Sequence, residues 1–385
     1  MNTPFIVWAK RTPVGKIDGI LKQTAPESMA AVLMKQLIED SKIEPADIDD
    51  VILGNVVGPG GNIARLSLLT AGIPVSVPGV TVDRQCGSGL EAIHLAARMI
   101  QAGAGDIYIA GGTESTSLAP WKMEKPKNLH KGTPKLYERA RFSPDFIGDP
   151  SMGEAAENVA QQYGITRKEQ DQFAVDSHRK AAAAEEQGVF AGEIAAVPGV
   201  KSDRDECVRK RTTMKLLQRL PALFREDGTV TAGNSCPVND GASVVLMMSK
   251  QKAERLGLKP IAEVVDTAIA GVDPNILGIG PVPAVQTCLR RNGLTMDDID
   301  VMEFNEAFAS QVLASLYELR MPLAKVNVSG GGIALGHPYG ASGAIITTRL
   351  MTEMVHRCAT WGIATMGIGG GMGIAVLFKR IAHDG

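Results

Sequence analysis

Hydrophobic and polar positions along this 385-residue chain follow two alternating periods. Short apolar runs bounded by glycine, proline or charged residues predict strands over 6–9, 51–57, 106–112 and 242–247. Between them the apolar residues recur at the helical spacing. Met29, Val32, Leu33 and Leu37 mark a helix over 27–41, and a second covers 62–71. An extended run over 79–82 feeds a turn and then a helix carrying Leu90, Ile93, Ala97 and Ile100. Strands alternating with helices imply an α/β protein, with a largely parallel sheet covered by helices on its faces.

The pattern changes near Leu118. From there to Pro237 the chain is polar, helix-rich and strand-poor, with amphipathic helices predicted over 154–163 and 166–187. Regular apolar spacing makes this an inserted subdomain rather than a linker. The expected organisation is a first half from 1–117 and 238–260, an insert over 118–237, and a second half over 261–385. A repeat supports two halves. Strand, turn, glycine-rich helix start and glycine-terminated strand run from Val80-Thr81-Val82 through Cys86-Gly87-Ser88-Gly89 to Ala110-Gly111-Gly112. The same order returns from Val326-Asn327-Val328 through Gly340-Ala341-Ser342-Gly343 to Ile368-Gly369-Gly370-Gly371. Chemistry is expected where the related halves meet.

Charge and composition narrow the function. With 40 basic and 42 acidic residues the net charge is −2, which gives no electrostatic case for nucleic acid or an anionic membrane. Aromatic residues make up 4%, too few for base stacking to be the main business. No apolar run reaches membrane-spanning length, and the first residues lack the basic and long apolar segments of a secretion signal. The lysines and arginines between Lys122 and Arg141 are mostly expected on a solvated face, with a minority available to a phosphate. Five cysteines, an odd number with no C-x-x-C pair, argue against a disulfide framework and against a zinc site. No metal is expected, and a reducing cytoplasm is the simplest setting.

The candidate chemistry centres on Cys86. At a helix N-terminus, unpaired N–H groups and the helix dipole favour an anion and lower a thiol pKa. Gly87 and Gly89 leave room for a ligand to approach the backbone. The plainer alternative is a buried, inert cysteine. Three segments of the second half join it: 303–308, Gly336-His337-Pro338 before a helix expected near Ser342, and the glycine turn over 367–373. Backbone N–H groups of that turn are suited to an oxyanion. Singly, His337 reads equally well as a turn residue and Asn305 as a helix cap.

Together these segments resemble the thiolase family over essentially the whole chain. Lys10-Arg11-Thr12-Pro13, Cys86-Gly87-Ser88-Gly89, Met152-Gly153 ahead of 156–160, and Glu169-Gln170-Asp171 are all similar to thiolase segments. So are 228–234, 280–284, Asn305-Glu306-Ala307-Phe308 and Gly336-His337-Pro338, in the same order. The resemblance implies two βαβαβαββ halves in a five-layered αβαβα arrangement, a homodimer or homotetramer, and a place in fatty acid metabolism. Acyl-CoA and CoA would be substrates, with no permanently bound cofactor. Carried over by residue, Cys86 would take the acyl group as a thioester. His337 would take the Cys86 proton, and Asn305 would position a water completing one oxyanion site. The N–H groups of Cys86 and Gly369 would form the second. Met152, Arg209, Cys236, Ala307 and Phe308 would line the CoA site, with Arg209 near the adenine.

One departure matters most. Most thiolases carry a second cysteine, the general acid/base, where this chain has Gly367. Glycine has no group to move a proton, and general acid–base catalysis contributes about 10²–10⁴-fold. Glu306, a water and Cys236 are the substitutes on offer. Ser151 stands where many biosynthetic thiolases have a histidine touching CoA, and Ser235-Cys236-Pro237 replaces a run of small residues. The leading expectation is an acetyl-CoA acetyltransferase or 3-ketoacyl-CoA thiolase with reduced carbon–carbon activity. The alternatives are acyl transfer or thioester hydrolysis without carbon–carbon chemistry, and a non-catalytic acyl-CoA binder.

Overall fold

The computed structural model describes residues 2–128, 130–137 and 139–383; Met1 and Gly385, the outer limits of the expected halves, lie outside the described residues. The first half opens with β1 (Pro4–Arg11), β2 (Gly15–Lys16), α1 (Pro26–Ser41), β3 (Asp50–Gly54) and α2 (Ile63–Ala71). It continues through β4 (Gly79–Val82), α3 (Ser88–Ala102) and β5 (Ile107–Ser115). The stretch over 118–237 holds β6 (Lys122–Glu124), β7 (Lys135–Tyr137), α4 (Met152–Tyr163), α5 (Arg167–Glu186) and α6 (Met214–Leu217). Then come β8 (Asn239–Ser249), α7 (Lys250–Leu256), β9 (Ala262–Gly271), α8 (Pro281–Arg291), β10 (Val301–Phe304) and α9 (Ala309–Leu319). The chain closes with α10 (Gly332–Leu335), α11 (Tyr339–His356), β11 (Trp361–Ile368) and β12 (Met372–Arg380).

Local chemistry sets many boundaries. Asn62 caps α2, and capping boxes of Ser151 with Glu154 and Thr166 with Glu169 start α4 and α5. Gly72, Gly103 and Gly164 end their helices in the left-handed conformation.

The main strands run in the order β4-β3-β5-β8-β1-β9-β12-β11-β10. The two halves touch within this sheet only where β1 meets β9, through the pairs Phe5–Glu263 and Ile6–Ala262. Pairing is mixed rather than largely parallel. β3 is parallel to β4 and β5, and β10 to β11, whereas β8 and β12 are antiparallel to their neighbours. A tight turn such as the one between β11 and β12 can join only antiparallel strands.

Side-chain alternation along the strands builds the layers. Val244 and Leu246 of β8 face α1 and α2, where Met29, Leu33, Leu37 and Leu68 are buried. Val245 and Met247 face the other way, onto α3 and α11. In the second half Ala364 and Met366 of β11 meet the same two helices, while Ile363 faces α8 and α9 with Val285, Val312 and Leu316. The order is therefore helix, sheet, helix, sheet, helix, the expected αβαβα arrangement. Because both faces of each sheet are covered, its strands read as continuous apolar runs.

The shared middle layer depends on missing side chains. A Cβ on Gly89 of α3 would lie 2.8 Å from the Gly340 carbonyl oxygen and 2.9 Å from the Ala344 nitrogen. One on Gly343 of α11 would overlap the backbone of Leu90. These glycines let the two helices approach backbone to backbone.

Several sequence expectations shift. Val326-Asn327-Val328 is not a strand: Val326 makes one bridge to Met302, and Asn327 turns the chain at φ 43°. β3 stops at Gly54: Asn55 N still reaches Val82 O of β4, but the N–H groups of Val56 and Val57 turn to the Glu114 carboxylate instead of a strand neighbour. Helix α11 begins at Tyr339, ahead of Ser342, and α9 begins at Ala309 with Phe308 as its cap.

Candidate active site

Strand β4 delivers the chain to a strained turn. Gln85 lies in the left-handed region at φ 47°, uncommon for a residue with a side chain. Neighbours hold it there. Its N–H donates to the Asp83 carboxylate at 2.7 Å, and Ser88 Oγ accepts from Arg84 N at 2.8 Å while donating to Gln85 O at 2.6 Å. Cys86 follows, just ahead of the Gly87 cap of α3. A Cβ on Gly87 would run into Ile368 of β11, so this glycine lets the second half close against the turn.

The expectation of a lowered thiol pKa at Cys86 is reversed. Burial pushes the thiol up to about 12, against the N–H groups of Cys86 and Gly369, which favour the thiolate. Glu114 and Asp83 push it further up. The helix N-terminus acts as argued from sequence, but desolvation outweighs it. Cys86 rests as a thiol and needs a base.

His337 stands in the loop between α10 and α11. Its N–H donates to Asn239 Oδ1 at 2.8 Å, and Gly336 at φ 112° backs onto the same amide. Ser342 Oγ lies 2.6 Å from His337 Nδ1 and donates its proton to Pro338 O at 2.8 Å. The hydroxyl proton is thus used, so Ser342 accepts and Nδ1 carries the imidazole hydrogen. Nε2 keeps its lone pair and faces Asn305 Nδ2 at 3.4 Å. Burial lowers the ring to about 4, so it is neutral near pH 7. Asn305 is itself buried at the exit of β10, its N–H bonded to Thr365 O.

Glu114 ties the two halves of this site together. Its carboxylate accepts from Asn55 Nδ2, Val56 N and Val57 N of the loop after β3, and from Gly340 N of α11. Burial raises it to about 7 despite these donors.

Gly367 is the penultimate residue of β11. A Cβ here would overlap the Gln311 amide nitrogen, and Gly278 O would lie 3.5 Å away. The space a side chain would enter is filled by Gln311. Gly369 follows in the turn, with the Phe142 ring 3.0 Å from where its Cβ would stand. Arg139 lies over that ring, 4.6 Å from its centroid.

Four of the five expected CoA-lining residues form one cluster: Ala307 and Phe308 with Ala156 and Val230, and Met152 and Cys236 packed against them. Phe224 meets Phe308 edge-on at 6.4 Å. Arg209 lies apart from this cluster, exposed, its N–H donating to His178 Nδ1 at 3.2 Å. Of the suggested replacements for a cysteine at 367, Glu306 is fully engaged. It accepts from Ser177 Oγ at 2.7 Å, Asn327 Nδ2 at 2.7 Å and Ile333 N at 3.1 Å.

Sequence reasoning missed Ser342, Asn239, Gln311, Phe142 and Tyr339. Ser342 was legible in principle, since a serine in the first turn after a loop histidine is within reach of its ring. Gln311 and Phe142 carry no local signal; they approach from α9 and the insert. Among the described residues, no group of three or more His, Cys, Asp or Glu is placed to hold a metal, and no helix is long and apolar enough to cross a membrane.

Residues 4–251 match the family "Thiolase, N-terminal domain", and residues 258–380 match "Thiolase, C-terminal domain". A Staphylococcus haemolyticus protein provisionally named acetyl-CoA C-acetyltransferase VraB is 50% identical over 385 residues, covering 99% of each chain. The Staphylococcus aureus (strain MRSA252) protein of that name is 48% identical over 99% of this chain and 100% of its own. The crystal structure of the Bacillus anthracis acetyl-CoA acetyltransferase superposes with TM-score 0.93 at 38% identity, and that of human mitochondrial 3-ketoacyl-CoA thiolase with 0.91 at 37%. Each of these pairings covers 99% of both chains.

Proposed function

The chain belongs to the thiolase family, and from that premise we propose that it is an acyl-CoA C-acyltransferase of the acetyl-CoA acetyltransferase or 3-ketoacyl-CoA thiolase type, working through a thioester on Cys86. Acyl-CoA and CoA are its substrates. The observation that carries the reading is the state of His337: neutral, with Nδ1 tied to Ser342 and Nε2 open beside Asn305. A buried thiol needs such a base, and a neutral imidazole with a fixed tautomer is one.

In the first step the Cys86 sulfur attacks the thioester carbonyl as His337 Nε2 takes its proton. The N–H groups of Cys86 and Gly369 receive the oxyanion, being preorganised around the sulfur. The CoA thiolate leaves with that proton. In the second step Asn305, with a water, and His337 hold the oxygen of the incoming acyl-CoA as its enolate develops. Met152, Cys236, Ala307 and Phe308 flank the pantetheine arm, and Arg209 meets the nucleotide end. The insert over 118–237 supplies much of that wall. The reading carries with it a homodimer or homotetramer, a cytoplasmic location and a place in fatty acid metabolism. The exposed edge strand β4, with Val80 outward, is suited to pairing between copies, which light scattering after size exclusion measures.

A second reading is favoured by Gly367: acyl transfer or hydrolysis without carbon–carbon chemistry, since acylation does not use position 367. One experiment separates the two. Acetyl-CoA should leave an acetyl adduct on the parent chain, seen by intact mass, and none on Cys86→Ala. Thiolysis of acetoacetyl-CoA above the Cys86→Ala blank supports the C-acyltransferase; adduct formation with CoA release but no thiolysis supports the second reading. A parent without an adduct defeats both.

A further inference from the structure

The reading above leaves the proton on the α-carbon without an owner. The described ionisable side chains of the site are Asp83, Glu114, His337, Glu306, Tyr339 and Cys236. Asp83 is bonded to Gln85 N, and both oxygens of Glu114 are taken by Asn55 Nδ2 and the N–H groups of Val56, Val57 and Gly340. His337 is committed to the Cys86 proton. Both oxygens of Glu306 accept from Ser177, Asn327 and Ile333, and so hold the 327–333 loop in place. Tyr339 stands edge-on to His337, ring centroids 5.2 Å apart.

Cys236 is placed differently. Its segment is stitched between the two loops that carry Asn305 and His337. Ser235 pairs with Phe308, Cys236 N donates to Ala307 O at 2.9 Å, and Val238 pairs with His337. Cys236 is itself bonded to Ala307, two positions after Asn305, and it lies two positions before Val238, which pairs with His337. Its side chain packs on the cluster that includes Ala307 and Phe308, as does that of Met152, along the proposed path of the pantetheine arm. Among ionisable groups, Cys86 acts on it most strongly. The direction a side chain at 367 would take is already occupied by Gln311.

Resting on the reading above, we propose that Cys236 is the second thiol of the active site, moving the α-carbon proton that no side chain at 367 can move. In thiolysis the Cys86 sulfur adds to the 3-keto carbonyl. The C2–C3 bond breaks, and its electron pair passes to C2 as the enolate of the departing acetyl thioester. The Cys236 S–H bond breaks next; its proton goes to C2 and its electron pair stays on sulfur. The entering CoA thiol gives its proton to that thiolate. The CoA sulfur then adds to the acyl carbonyl, the bond to Cys86 breaks, and Cys86 recovers its proton from His337. No oxidant or reductant is involved, and Cys236 ends as the thiol it began. Burial pushes this thiol well above its ordinary range, which keeps the proton in place for the first transfer.

The test compares the parent with Cys236→Ala and Cys236→Ser in three assays: acetylation of Cys86 by intact mass, thiolysis of acetoacetyl-CoA, and exchange of the acetyl-CoA methyl protons in deuterated water. In both variants thiolysis and exchange should fall about 10²–10⁴-fold further than acetylation does at saturating acetyl-CoA, the usual worth of a general acid/base. Serine restores the volume but not the acidity, so it should not rescue. Thiolysis in Cys236→Ala within threefold of the parent overturns the proposal. So does an equal loss of acetylation and thiolysis in both variants, the mark of a packing role. A parent that acetylates Cys86 but neither thiolyses nor exchanges overturns this proposal alone; a parent that never acetylates removes the reading beneath it.

Discussion

The two halves start their central helices in the same way and use them for different things. In the first, Ser88 donates back to Gln85 O at 2.6 Å; in the second, Ser342 donates back to Pro338 O at 2.8 Å. Gly89 and Gly343 then make reciprocal contacts, each helix pressing on the other's backbone. The serines differ in what else they hold. Ser88 accepts from Arg84 N and fixes the turn that presents Cys86, whereas Ser342 accepts from His337 Nδ1 and fixes a tautomer. One duplicated scaffold thus carries a thiol in one copy and its base in the other. The glycine contact brings them to a common site.

The largest expected effect removes one side of that division. Cys86→Ala should abolish the acetyl adduct from acetyl-CoA, while Ser342→Ala leaves the adduct but slows its formation. With Ser342 gone the tautomer is no longer fixed, and we expect a loss of about tenfold, part of the roughly 10²–10⁴-fold ascribed to general-base catalysis. Ser88→Ala breaks the matching bonds in the other half; it should cost about 1 kcal/mol of stability, near the usual worth of one hydrogen bond. Stopped-flow acylation and urea titration of the two serine variants measure the contrast. Equal effects on both quantities in both variants contradict it.

Next comes the helix contact. Gly343→Ala puts a Cβ into the Leu90 backbone, which cannot swing aside as a side chain would. Overpacking of this kind costs typically about 1–3 kcal/mol, and the urea midpoint should fall accordingly. Acylation should fall too, because separating α3 from α11 separates Cys86 from His337.

The third effect is on pH. His337 has a folded pKa of about 4, below its ordinary value. The folded state therefore binds fewer protons than the unfolded chain between about 6.5 and 4. The stability tied to a neutral His337 is complete above that window and is lost as pH falls through it. His337→Gln should remove this component, flattening the urea midpoint against pH relative to the parent. Curves that stay parallel from pH 7 to 4.5 would show that His337 does not titrate this way.

Much of this comparison was legible in the sequence, and the parts that were not share a physical cause. Period-2 and period-3.6 spacing found β1, β5, α1 and α3, because burial on a face repeats along the element itself. The duplicated glycine-rich helix starts were also visible. The run at 326–328 looked like its counterpart β4, yet Asn327 turns the chain and its side chain bonds Phe304 on both sides instead. The Cys86 pKa went the wrong way because a helix N-terminus is a local feature, whereas desolvation depends on what the fold lays over the thiol. Gln311 against Gly367 and Phe142 against Gly369 are contacts between distant segments, and spacing says nothing about them.

The smallest expected effect tests how the Cys86 turn is held. Gln85 sits at φ 47°, where a side chain costs about 1 kcal/mol or more and glycine costs little. Gln85→Gly relieves that strain but loosens the unfolded chain, which offsets the gain by about 0.4–1 kcal/mol. The urea midpoint should therefore move little. Acylation should respond more, because the left-handed residue and the Asp83 bond to its N–H are what aim the Cys86 sulfur between its own N–H and that of Gly369. A few-fold slower adduct formation at near-constant stability is the expected result. If both quantities stay unchanged, the bonds of Ser88 and the contact of Gly87 with Ile368 suffice to hold the thiol, and the strain at Gln85 is only a by-product of the turn.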